Sequence, residues 1–218
     1  MKLNRMLIAS IVIIVVIFIV TLTFYPRLPE MIASHWNAQG EADGYMQKFS
    51  GAFFLPFFLI GLFLILVFIP NIDPLKKNIL AFRPYYDAFI LIFIIFMGFV
   101  QLQILLWNVG IKMNPSIIIN VGGALLFYYV GILLEKSKRN WFIGIRTPWT
   151  LSSDVVWDKT HKLGSKLFKI TAIICLIGVF FPKIGAYFLL VPVLSVAVFT
   201  IVYSYFEYKK EVINGGSR

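Results

Sequence analysis

Apolar runs recur six times along the chain, at residues 6–25, 52–70, 88–109, 116–134, 167–182 and 184–206. A helix rises about 1.5 Å per residue, so roughly 20 apolar residues carry it across the hydrocarbon core of a bilayer. Composition agrees: of 218 residues, 60% are hydrophobic and only 14% charged, and the mean hydropathy is +0.86. A water-soluble domain could not hide that much apolar surface. The expected fold is an all-α integral membrane protein with six transmembrane helices. The fifth run is short and starts on the polar flank of Lys166 and Lys169, so its helix is expected to begin earlier, in the preceding loop. No small-x-small cleavage site follows residues 6–25, which therefore read as the first span rather than a removed signal.

Charge sets the expected orientation. Of the 20 Lys and Arg residues, all but Arg27, Lys48, Lys112 and Lys183 fall on one side of a six-span layout, from Lys2 and Arg5 through to Arg218. Basic residues gather on the cytoplasmic side, which places both termini inside. The net charge of +10 then follows from membrane topology and requires no nucleic-acid partner. Cys175, the single cysteine, lies within a span and excludes an intrachain disulfide.

The spans carry little chemistry. Gln101, Gln103, Asn108 and Asn120 are their main polar residues, with Asp87 at an edge. Ion-coupled transporters bury carboxylates or basic groups at mid-membrane, and that pattern is missing. Gly98 and the pair Gly122-Gly123 read as points of close helix packing. Residues 1–134, with an external loop at 26–50, and residues 135–206, with a basic cytoplasmic loop and the last two spans, are expected to form one compact bundle. The tail Asn214 to Arg218 receives no role.

The densest motif is Asn140-Trp141-Phe142-Ile143-Gly144-Ile145-Arg146-Thr147-Pro148-Trp149-Thr150-Leu151. Gly144 can adopt backbone angles closed to other residues, and Pro148 fixes its own while restricting Thr147. Arg146 offers a planar fork for carboxylate or phosphate, and Trp149 is an interfacial anchor. Ser152 or Ser153 can cap a following helix, with Asp154 in its first turn. On that helix Lys159, Lys162, Lys166 and Lys169 share one side, while Trp157, His161, Gly164 and Phe168 lie nearly opposite. The stripe reads either as the side of an interfacial helix that faces anionic lipid while its aromatics pack on the bundle, or as a docking surface for an acidic cytoplasmic partner.

This motif, with Val156-Trp157 and Thr160-His161-Lys162 after it, closely resembles the signature of the SdpI family of bacterial membrane proteins. The first loop also resembles a small domain of unknown function that often precedes the signature, through Leu28-Pro29, Ile32, His35-Trp36-Asn37, Gly40, Asp43-Gly44-Tyr45 and Lys48. The resemblance implies a multi-pass protein of the bacterial cell membrane that confers immunity to a secreted antimicrobial peptide toxin. It also implies a second role, in which the protein holds a cytoplasmic autorepressor at the membrane when toxin is present. A protein that blocks toxin passively, or serves in envelope stress without signalling, is the alternative reading; a transporter or membrane enzyme is a weaker one.

His35, Glu41 and Asp43 superficially invite a metal, but Gln39 and Ser50 stand where a calcium loop needs its first and its bidentate ligands. The loop reads instead as turn-ordered, with His35 and Trp36 packing at the outer interface or meeting the toxin first. The only two histidines, His35 and His161, fall on opposite sides of the membrane, and no nucleophile–base pair or phosphate-cradling glycine loop accompanies either. No enzymatic activity, cofactor or metal is expected.

Overall fold

The computed structural model describes residues 4–215; Lys2 and Arg218, counted above for orientation, lie outside the described residues. Long helices run back and forth: α1 (Arg5–Phe24), α2 (Lys48–Ile72), α4 (Arg83–Asn108), α5 (Pro115–Lys136), α7 (Asp154–Gly178) and α8 (Gly185–Gly215). Short helices α3 (Lys76–Ala81) and α6 (Pro148–Ser152) sit in connections at one end. Helix starts follow the local chemistry. Asn4, Asn114, Thr147 and Ser153 each accept a backbone N–H through their side chain, and Pro84, Pro115 and Pro148 occupy first-turn positions.

Five of these helices are long and apolar enough to cross a membrane. The exception is α7, because Lys159, Lys162, Lys166 and Lys169 lie along its N-terminal two-thirds. Its apolar remainder follows without a break, so the expected interfacial helix and the expected fifth span are one continuous rod of 25 residues. This corrects the separate interfacial element, which is continuous with the apolar remainder; Trp157 and His161 on its aromatic side bury their rings against neighbouring segments, as expected of that side. The rod ends at Gly178 rather than at residue 182.

The connection between α1 and α2 departs from an all-α fold. Strands β1 (Met31–Trp36) and β2 (Ala42–Gln47) form an antiparallel hairpin, with Ala33 opposite Tyr45 and His35 opposite Gly44. The carboxamide oxygen of Asn37 accepts from the amides of Gln39 and Glu41, and Gly40 turns the chain at φ +83°. Gly44 has no room for a side chain, since a Cβ would lie 2.8 Å from that of His35.

Packing divides the bundle into α1, α2 and α4 on one side and α5, α7 and α8 on the other, joined by α4 against α5. Gly122 lies against Phe96 of α4, and a Cβ at Gly123 would come within 2.6 Å of Leu189 of α8, so both glycines set close approach. Ile143 of the signature loop joins the core of the first group, beside Leu133, Phe82 and Ile79. Large apolar side chains such as Phe54, Leu64, Phe68, Leu125, Ile173, Leu194 and Val198 point outward. A surface of that extent is stable only in lipid.

Candidate functional site

The signature residues assemble at one end of the bundle, and most face inward. Asn140 is fully buried and organises the start of the loop. Its Nδ2 donates to the carbonyls of Lys138 and Ile143, while its Oδ1 accepts from the amides of Phe142 and Ile143. Gly144 follows at φ +113°, a conformation costly for any residue with a side chain. It packs directly against the His161 ring, leaving no space for a Cβ.

His161 then ties the loop to α7. Its Nδ1 lies 2.8 Å from the carbonyl oxygen of Trp157, an atom that can only accept, so Nδ1 carries the proton. Nε2 is left as the acceptor for the Ile145 amide at 3.0 Å. Both bonds require the neutral ring. Burial acts in the same sense, pushing the imidazole pKa down to about 4. Trp157 stacks on this ring, with centroids 3.9 Å apart, and its Nε1 donates to the carbonyl of Ser137.

Thr147 and Thr150 form a reciprocal capping box that starts α6. The Thr150 hydroxyl also donates to the Ile145 carbonyl, and the Thr147 hydroxyl lies 3.0 Å from that of Ser204 on α8. Trp149 meets Tyr205 edge-on, and the Leu151 carbonyl accepts from Arg139. Pro148 begins α6. The buried residues Asn140, Ile143, Thr147, Thr150, Trp157 and His161 thus form one lattice linking the end of α5 with α7 and α8.

Arg146 stands apart from it. The side chain is exposed and donates to the Trp141 carbonyl, so its fork is not closed on a carboxylate among the described residues. The lysine stripe also splits. Lys159 pairs with Glu207 of α8 and Lys169 with Glu135 of α5, each at 2.8 Å, whereas Lys162 and Lys166 stay exposed without an acidic partner among the described residues. Bonding to Glu207 pushes the Lys159 pKa up. The stripe is therefore not uniform: only its two middle members present free charge outward.

Sequence reasoning missed several partners of the lattice. Asp73 accepts from the Trp141 amide, and Asn78 donates to the Arg139 carbonyl, which moors the loop to the connection between α2 and α4. Asp73-Pro74 is a turn signal that could have pointed there. Ser137, Ser204, Glu135 and Glu207 carried no signal in the linear sequence.

The hairpin lies at the opposite end, so the two histidines are separated by the length of the bundle. Asn108, at the end of α4, docks it: Oδ1 accepts from the Ala33 amide, and Nδ2 donates to the Ala33 carbonyl. His35 pairs with Asp43 across the strands, and Asn37 donates to Glu41. Trp36 packs edge-on against Trp107. Pro29 is exposed beside buried Leu28, and Lys48 reaches Glu30 and the face of Tyr25. Among the described residues, no three His, Cys, Asp or Glu side chains converge as a metal site would require.

A helical bundle with an apolar exterior, a polar lattice locking one end and a docked hairpin at the other defines a multi-pass membrane protein, with no recognisable catalytic constellation among the described residues. Residues 136–204 match the SdpI/YfhL protein family, and residues 12–60 match DUF1648, a domain of unknown function. The immunity protein SdpI of Bacillus subtilis (strain 168) is 28% identical over 211 residues, covering 95% of this chain and 97% of the relative. The chain is thus similar to the SdpI type along nearly its whole length, with the region similar to DUF1648 ahead of the signature. No solved structure matches the chain.

Proposed function

We propose that the chain protects its cell against a secreted antimicrobial peptide toxin, with the hairpin end outside and the signature lattice in the cytoplasm. The observation that carries this reading is similarity to an immunity protein along nearly the whole chain, hairpin region and signature alike. The distribution of basic residues supports the orientation. The immunity function requires no catalysis: binding the peptide outside the bilayer, or altering what it meets there, suffices.

A reporting role is the second part of the proposal. Rod α7 joins the outer turn to the lattice, and Lys162, Lys166 and Arg146 present unpaired positive charge at the inner end. An acidic face on a cytoplasmic autorepressor fits that surface, and toxin would act by favouring one of two bundle arrangements. Anionic lipid competes for the same charges.

The test uses toxin-sensitive cells expressing the chain, challenged with medium from a producer strain. Survival is expected with the intact chain, and killing at the rate of empty-vector cells, with the protein present in the membrane, would refute immunity. Reversing Lys162 and Lys166 to Glu should abolish repressor-dependent reporter output while survival persists. Unchanged output would remove these lysines from signalling.

A further inference from the structure

Between the hairpin and helices α4, α5 and α8 lies a cleft of about 300 Å³. Ser34 to Asn37 form one wall, and Ile104, Ile119 and Leu189 are among the apolar residues of the others. Gln103 sits in this lining, only 3% exposed, and its Nε2 is buried with no hydrogen-bond partner. The Nε1 of Trp36, another lining residue, is likewise buried and unpaired. The donor groups of the other amide side chains are paired, since Gln101, Asn108 and Asn120 each donate to backbone carbonyls, although the oxygens of Gln101 and Asn120 are also buried without a partner.

A buried polar group left without a partner costs about 1–3 kcal/mol, so such groups mark places where a partner arrives from elsewhere. A carboxamide carries one acceptor and a donor pair side by side, which is the complement of a peptide unit. The indole N–H adds a second donor for a carbonyl. The rest of the lining is mostly apolar, and the volume is at the lower end of the range for small ligand sites, roughly 300–1,000 Å³. It suits a short length of extended chain and excludes a folded domain.

We infer that this cleft binds the backbone of an apolar peptide, with the Gln103 carboxamide paired to a peptide unit and the Trp36 indole donating to a carbonyl. The inference rests on the immunity reading for the identity of its partner, and it adds a location and a chemistry for recognition.

The experiment uses the full chain in lipid nanodiscs carrying Ser34→Cys as a reporter in the cleft wall, with buried Cys175 left in place. Two synthetic capped peptides of alternating Leu and Ala serve as probes, identical except that one has every backbone nitrogen methylated. The unmethylated peptide should slow maleimide labelling at position 34, and the methylated peptide should do so at least tenfold more weakly. Gln103→Leu should weaken protection by the unmethylated peptide at least tenfold while leaving thermal stability unchanged or higher, since it removes an unpaired buried polar group. Equal protection by both peptides would mean apolar partitioning only and would overturn the inference. So would undiminished protection in Gln103→Leu, which would mean that water alone occupies the carboxamide, or a loss of stability in that variant, which would mean an internal structural role. Survival of toxin-challenged cells is scored separately: cells that live although neither peptide protects position 34 would sink the cleft and leave immunity standing.

Discussion

Protonating His161 should release the signature loop. The neutral ring accepts from the Ile145 amide and donates to the Trp157 carbonyl, and a second proton would set N–H against N–H. In the opened loop the imidazole returns to its ordinary pKa of 6.5, whereas the closed loop holds it at about 4. The closed state therefore binds fewer protons, and its stability is fully present above about pH 6.5 and lost as pH falls toward 4. The whole shift is worth about 3 kcal/mol, and moving from about pH 7 to about pH 5 removes roughly 2 kcal/mol of it. That corresponds to a protection factor for the Ile145 amide that drops roughly 20-fold. Hydrogen exchange on the peptide spanning Ile145, corrected for the intrinsic pH dependence, measures it in nanodiscs. In His161→Gln the same pH step should change protection only by what the carboxylates contribute. Equal protection of the wild-type amide at both pH values would refute a neutral, acceptor imidazole.

Two further outcomes test other parts of the fold. Gly144→Ala forces a side chain into a glycine-only conformation and against His161, and should lower stability by about 1–3 kcal/mol, read as a fall in Tm in detergent; an unchanged Tm would mean the loop has a second stable conformation. Asn108→Leu leaves the Ala33 amide and carbonyl without their partner, at a cost of about 1–3 kcal/mol, and protease should cut residues 37–41 faster while the spans stay intact. Unaltered cutting would show that Trp36 on Trp107 holds the hairpin unaided.

The membrane character of the fold was legible in the sequence because long apolar runs admit one reading. The start of the fifth helix ahead of its apolar run was legible too, from Ser153 and the lysines that precede it. The single rod was not, because an amphipathic first part and an apolar second part look like two elements when hydropathy alone is read. The hairpin escaped for a different reason: its alternation is blurred by bulges around His35 and by Gly44, whose role depends on the strand opposite. Among the site residues, Gly144 and Pro148 announced themselves through backbone restriction. The inward orientation of Asn140, Thr147, Thr150 and His161 did not, since it depends on the folded loop: Asn140 and Thr150 bond within it, His161 accepts from the Ile145 amide, and Thr147 meets Ser204 on α8. The lysines shared a helix face as their spacing required, yet Glu135 and Glu207 on other helices decided which of them keep a free charge.

With α7 as a span of the proposed topology, its uneven polarity would fix its depth in the bilayer. At about 1.5 Å per residue the rod is roughly 37 Å long, and its charged part ends at Lys169, held to Glu135. Sliding it outward by one turn, about 5.4 Å, would draw that ion pair beneath the headgroups, where an ionised side chain costs a few kcal/mol. Axial travel would thus be resisted at the rim where Lys169 meets Glu135. In the proposed orientation a load arriving at the turn after Gly178 would then be expressed as tilt or roll about a fixed height, felt first at Trp157 and His161.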